Sequence, residues 1–258
     1  MNIKNLAQGD FVIMGGYLSF ALFNAGFHPL LTLPLAMILM FGFGWLVYVI
    51  IIRRVIDKDM FTSLLATFGL SLLMQQVINL IFGPEVQTVD PDFKIYSAFD
   101  DFVTIPSIKI LSLVLAALLA LGVVLFMKKS RLGQSIRATA QDPRAARVMG
   151  INTDRVYAIT FALNAAICGA AGVLVAMIWV IQPFYGIVYS IRSFAIVTAS
   201  GLGNLPAVIG AGFGLGLAEQ YTGIVFGAEY QVASAVVLLL LVLMWRQIKL
   251  RQKREVVR

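Results

Sequence analysis

The sequence predicts an all-α, polytopic helical membrane protein with about six full spans and one re-entrant or broken helix pair. Three observations lead there. Of 258 residues, 60% are hydrophobic and 13% charged, with mean hydropathy +0.89, well outside the soluble range. Apolar runs recur at the roughly 20-residue length that crosses a bilayer. Lysine and arginine concentrate in alternate connecting segments, as they do on the cytoplasmic side of membrane proteins.

Taken in order, residues 11–27 make a short first span whose flanks dip into the interface. His28 beside Pro29 marks a turn, where a solvated interfacial imidazole is expected rather than a ligand. Spans at 30–52 and 60–82 flank Arg53, Arg54 and Lys58, set against Asp57 and Asp59. Loop 83–107 carries five acids (Glu85, Asp90, Asp92, Asp100, Asp101) and one base, Lys94. A span at 108–127 leads to loop 128–155, with seven basic residues and two acids, and then to a span at 156–181. Residues 193–226 are apolar but broken, 231–245 form the last span, and the tail 246–258 has six basic residues and one acid. These counts place the three basic segments in the cytoplasm and loop 83–107 outside, with a cytoplasmic C-terminus; the expected location is the cell (inner or cytoplasmic) membrane, as a multi-pass protein. The whole reads as one transmembrane domain, 1–258.

Composition also excludes. The net charge of +7 is the sum of basic loops and a tail facing anionic lipid, where Lys249, Arg251, Lys253 and Arg254 snorkel, so nucleic acid is not indicated. One cysteine, Cys168, permits neither an internal disulfide framework nor a cysteine metal site. No cofactor or metal is expected. Residues 1–10 lack the apolar core of a signal peptide, leaving targeting to the first span. A Gly-x-Ser-x-Gly nucleophile motif and a Walker-type phosphate loop are both missing, and His28 is far from Ser200 in sequence. An enzyme is therefore disfavoured, and any ATP use falls to a partner.

Arg155 and Arg246 share a side, so an even number of crossings separates them. Residues 193–226 must then enter and leave on one side. Ser200-Gly201-Leu202-Gly203-Asn204-Leu205-Pro206 is the break, with Pro206 suited to start a helix. Two arrangements satisfy this: a half-helix turning at 201–204, or two short spans joined by a cytoplasmic turn. Small residues at four-residue spacing (Ala158, Ala162, Ala166, Ala170; Gly210, Gly214, Ala218) predict close helix packing.

Polar groups at membrane depth are the substrate-pathway candidates. They are Gln75, Gln76 and Asn79 on roughly one side of the third span, Asn164 in the fifth, Ser200 and Asn204 at the break, and Glu219 beyond it. Glu219 also suits a solvated acid at the outer interface. Gln8 and Asp10 join the set at the amino end, where an acid complements the helix dipole and simple capping is the default reading of Asp10.

The most punctuated stretch is residues 137–152. Asp142 caps, Pro143 fits the first turn and Gly150 closes the last, leaving a rod of Pro143 to Met149 about 10 Å long. Its body sets Ala145 and Ala146 between Arg144 and Arg147, with Ile151 and Asn152 following. This is the shape of a plug for another protein's socket; an ordinary basic cytoplasmic loop has the same composition.

Three segments together resemble the permeases of branched-chain amino acid ABC importers, the LivH/LivM-like family. Residues 5–17 are similar to their Asn-x-Ala-x-Gly-acid-x-x-x-x-Gly-(Gly/Ala)-Tyr segment, and 137–161 (RATAQDPRAARVMGINTDRVYAITF) to their cytoplasmic loop and following span. Residues 194–219, through Gly210, resemble their glycine-rich re-entrant region. The resemblance implies a passive pore subunit, paired as a homodimer or heterodimer with a second permease. ATP-binding subunits would sit inside and a solute-binding protein outside. Residues 142–152 would be the coupling helix seated in an ATPase cleft. It also implies a further apolar helix ahead of residue 5, which would make 5–10 a mid-membrane break rather than a cytoplasmic end. Some relatives carry urea, amides or aromatic compounds. An ATP-independent secondary transporter is the rival from another class, but it needs a coupling-ion site and leaves the capped helix unexplained.

Overall fold

A computed structural model describes residues 5–56, 60–89, 95–98, 103–201 and 203–255, the side chains of 60, 95–98, 103–105, 205 and 245–255 excepted. Asp57, Lys58, Asp59, Asp90, Asp92, Lys94, Asp100, Asp101, Leu202 and Arg258 lie outside the described residues, as do the side chains of the tail.

The chain is an all-α polytopic membrane protein. Its helices are α1 (Gln8–Asn24), α2 (Pro29–Val47), α3 (Arg53–Val55), α4 (Met60–Phe82), α5 (Ser107–Lys129), α6 (Arg131–Gln141), α7 (Pro143–Val148), α8 (Thr153–Ile178), α9 (Gly186–Ser200), α10 (Leu205–Val225) and α11 (Gln231–Glu255). A π-helical turn, Tyr48–Ile52, carries α2 into α3. Among the described residues, four stretches are long and apolar enough to cross a membrane: Pro29–Val55, Phe61–Phe82, Ser107–Lys129 and Thr153–Ile178. At 17 residues, α1 is about 26 Å long, close to the hydrocarbon thickness.

One element departs from an all-helical chain. Within loop 83–107, β1 (Ile95–Ala98) pairs antiparallel with β2 (Val103–Pro106), Ile95 opposite Pro106 and Ala98 opposite Val103. The β-branched and aromatic residues Ile95, Tyr96, Val103, Thr104 and Ile105 favour this hairpin. The same loop ends α8 early. Gln87 and Ile181 exchange backbone hydrogen bonds of 2.9 and 2.8 Å, so the apolar run expected to stay helical through Ile181 stops at Ile178.

Contacts divide the chain into two compact units, Met1–Gly186 and Ile187–Arg258. In the first, α8 is the hub: 67% of its most apolar window is buried, against 6% for α5. Its small face accepts α1 and α2 at backbone contact. A Cβ on Gly15 would lie 2.5 Å from the Gly169 Cα, and one on Gly172 would overlap the Val12 carbonyl. Gly44 of α2 sits as tightly on Ala165. Lipid tails offer no hydrophobic drive between helices, so this close approach supplies the dispersion that holds them. Phe11 fills the centre, its ring 5.9 Å from Phe43 and 5.8 Å from Phe161.

The second unit holds an α9–α10 hairpin followed by α11. Gly201 and Gly203 both take positive φ, 80° and 90°, and Asn204 then caps α10 by accepting from the Ala207 N–H at 3.3 Å. Pro206 lies in the first turn of α10, where its missing N–H has no intrahelical partner to lose.

Candidate functional site

Two polar assemblies lie in the first unit, and both begin with residues 5–10. Asn5 turns the chain into α1 by accepting from the Ala7 N–H at 3.0 Å, and the Leu6 N–H reaches Thr67 Oγ1 at 3.3 Å. Gln8 points to α8. Its Nε2 donates to Asn164 Oδ1 at 2.9 Å, while Asn164 Nδ2 donates back to Gln8 Oε1 at 2.9 Å. Cys168, one turn on and buried, lies 3.0 Å from the same Nε2.

Asp10 points the other way. The residue is 1% exposed, its carboxylate accepting from Ser71 Oγ at Oδ2 (2.5 Å) and from Gln75 Nε2 at Oδ1 (2.9 Å). The capping expected of Asp10 is not what its side chain does: the N-cap position is Ala7, without a side-chain cap, and the carboxylate is spent on α4. Gly186 closes over it, because a Cβ at that position would fall on the Asp10 carboxylate.

The remaining pathway candidates separate. Gln75 and Asn79 are half-buried, whereas Gln76 is exposed, since one residue further along a helix turns about 100°. Asn79 Oδ1 is buried without a hydrogen-bond partner among the described residues. In the second unit, Ser200 ends α9 with its hydroxyl on the Val197 carbonyl (3.2 Å), and Asn204 is the α10 cap. Glu219 is no solvated acid. Arg192 of α9 donates from Nε to its Oε1 at 2.8 Å, with side-chain exposures of 26% for Arg192 and 16% for Glu219.

The residues missed in sequence are Ser71, Thr67, Arg192 and Gly186. Ser71 was findable, one helical turn before Gln75 on the same face. Arg192 was findable too, as the one charged residue of apolar α9, but its pairing was not, because Glu219 stands 27 positions away.

The third candidate is α7. Asp142 Oδ1 accepts from the Arg144 and Ala145 N–H groups at 2.8 and 3.1 Å, satisfying two orphan donors. The helix is six residues, Pro143–Val148, one shorter than expected because Met149 becomes the C-cap. Gly150 follows at φ 82°, and the Ile151 N–H bonds the Ala146 carbonyl at 3.0 Å while the Gly150 N–H bonds that of Arg147 at 3.0 Å. That is a Schellman stop, so the helix is pinned at both ends.

Only Ala146 of its body is buried, while Val148 and Met149 are 86% and 81% exposed. Arg147 ties the rod to α8. Its Nε donates to Thr153 Oγ1 (2.5 Å) and its Nη2 lies 3.2 Å from Asp154 Oδ1. Asn152 caps α8 through the Arg155 N–H at 3.0 Å, and with Arg147, Gly150, Ile151, Thr153 and Asp154 it lines a shallow cleft of about 280 Å³.

Residues 1–245 match the family described as "Branched-chain amino acid transport system / permease component". The chain belongs to this permease family. It is 29% identical over 254 residues to the high-affinity branched-chain amino acid transport system permease protein LivH of Salmonella typhimurium, covering 93% of this chain and 82% of that one. The BraD permease protein of Pseudomonas aeruginosa is 30% identical over 266 residues, covering 98% and 87%. A probable LivH of Methanocaldococcus jannaschii is 25% identical over 94% of this chain and 80% of its own. No solved structure matches. As a branched-chain amino acid permease family member, the protein has a transport role.

Proposed function

We propose that the chain is the pore-forming subunit of an ATP-driven importer for branched-chain amino acids. It pairs with a second permease and takes its energy from ATP-binding subunits docked on α7. It receives cargo from an extracytoplasmic solute-binding protein. The amino acid class follows from the names of the relatives. The observation that carries the mechanism is the construction of α7: six residues stopped at both ends, two apolar side chains bare at the tip, and an arginine fastening it to α8.

A push on such a rod has a physical route inward. Arg147 passes it to the first turn of α8, and Asn164, further along α8, is bonded to Gln8 of α1. Two residues on, Asp10 bonds Ser71 and Gln75 of α4. Movement of α7 would thus be felt by three helices through polar contacts rather than through sliding apolar faces. Basic α6 and the tail would lie against the cytoplasmic leaflet. The turn at 201–204 fits a half-helix: α9, with 15 residues, is about 22 Å long and too short to span, whereas α10, with 21, reaches about 31 Å.

Proteoliposomes carrying the chain with its ATP-binding subunits and binding protein should take up labelled leucine only when ATP is supplied. Uptake by this chain alone, driven by an ion gradient, would assign it to the secondary transporters instead.

A further inference from the structure

We infer that the Arg192–Glu219 pair is a transit site for the head group of a zwitterionic α-amino acid. The inference rests on the cargo being an amino acid, as proposed above.

The pair is poorly explained by stability. It joins two largely apolar helices, and withdrawing both charges from water costs more than an apolar pair of similar volume would. Arginine and glutamate in such a segment are rare unless they face a cavity or a partner. Both remain partly open, at 26% and 16% exposure, and charges exposed in a bilayer face water or protein rather than lipid tails.

The geometry of the contact leaves binding capacity unused. Only Nε of Arg192 and Oε1 of Glu219 meet, at 2.8 Å. Among the described residues, neither Nη group of Arg192 nor Oε2 of Glu219 has a hydrogen-bond partner. The Tyr189 ring, 5.6 Å from the guanidinium carbon, steadies the plane. A guanidinium edge of that kind receives a carboxylate through two parallel N–H donors, and a carboxylate oxygen receives an ammonium. An α-amino acid carries both groups on one carbon, so a single molecule bridges the pair with its side chain directed away. The site then recognises the head group common to all amino acids and leaves the side chain unread. A neutral amide has no use for it.

Depth agrees with a station on a path. Arg192 is six residues from Gly186 and Glu219 six from Val225, so the pair lies about 9 Å from the open end of the hairpin. Because the Nε–Oε1 contact already partly neutralises both charges, each attracts the cargo less than a free ion would, so capture there is weak and release is easy.

The test uses the complete importer in ATP-loaded proteoliposomes, comparing the wild type with Arg192→Met/Glu219→Leu and with Arg192→Lys. Monodisperse elution and co-purification with the ATP-binding subunit report assembly. Leucine uptake should fall about tenfold in the apolar double variant, the rate equivalent of losing one charge-assisted hydrogen bond. Arg192→Lys keeps the ion pair but loses the fork, and should fall severalfold while assembling normally; it carries the test if the double variant does not assemble. Uptake in an assembled variant equal to wild type would overturn the transit site and leave the pair structural. A wild-type importer that carries neutral amides but no amino acid would overturn the cargo reading, and this inference with it.

Discussion

Gln8 and Asn164 exchange both of their amide hydrogen bonds, Nε2 to Oδ1 and Nδ2 to Oε1, each at 2.9 Å, across the packed faces of α1 and α8. Two residues later Asp10 makes the opposite connection, to α4. The first turn of α1 is therefore fastened on two sides by side chains that a simple helix start would not need.

Substituting one partner of the amide pair should cost more than substituting both. Gln8→Leu or Asn164→Leu leaves an amide half-buried without its match, at about 1 kcal/mol each. That corresponds to a fall in Tm of about 2–4 °C for a chain of this size. The double variant Gln8→Leu/Asn164→Leu should recover part of the loss. Thermal unfolding in detergent micelles measures it; a double variant with the full summed loss would show that the two sites act independently.

Gly186 and Asp10 should be energetically coupled. An added methyl in Gly186→Ala meets the Asp10 carboxylate and forces a shift, costing about 1–3 kcal/mol. Asp10→Ala removes the obstacle, so the double variant should be more stable than the sum of the singles by about 0.5 kcal/mol or more. Strict additivity in the same unfolding assay would contradict the packing.

Ala145→Glu and Gly150→Val should abolish uptake without preventing insertion. Ala145 is exposed on the α7 surface, where glutamate adds bulk and reverses charge at a docking face. Gly150 holds φ 82°, which valine adopts only at a cost of about 1–3 kcal/mol. Co-purification with the ATP-binding subunit and leucine-stimulated ATP hydrolysis are the readouts. If both are unchanged, α7 does not couple.

The turn before α10 predicts a labelling pattern. In a Cys168→Ala background, a cysteine in place of Asn204 should resist membrane-impermeant thiol reagents applied from the cytoplasmic side. Rapid labelling from that side alone would mean that α9 and α10 are two complete short spans.

The sequence by itself determined the helical membrane class, the run-lengths of most spans, and the capped start and glycine stop of α7, whose last turn it placed one residue late. All of these depend on local chemistry: apolar runs of bilayer length, an aspartate before a proline, a glycine where φ turns positive. It also marked Gln8, Asp10, Gln75, Asn164 and Glu219, because polar groups are conspicuous in apolar helices. Who bonds whom was decided by tertiary structure. Asp10 looks like a cap in sequence because an acid before an apolar run usually is one; only the approach of α4 brings Ser71 and Gln75 within reach. Arg192 and Glu219 meet because a turn built on Gly201 and Gly203 folds α9 back against α10. Such pairings depend on helix rotation and register across 27 to 156 residues of separation, and neither leaves a periodic trace in the chain.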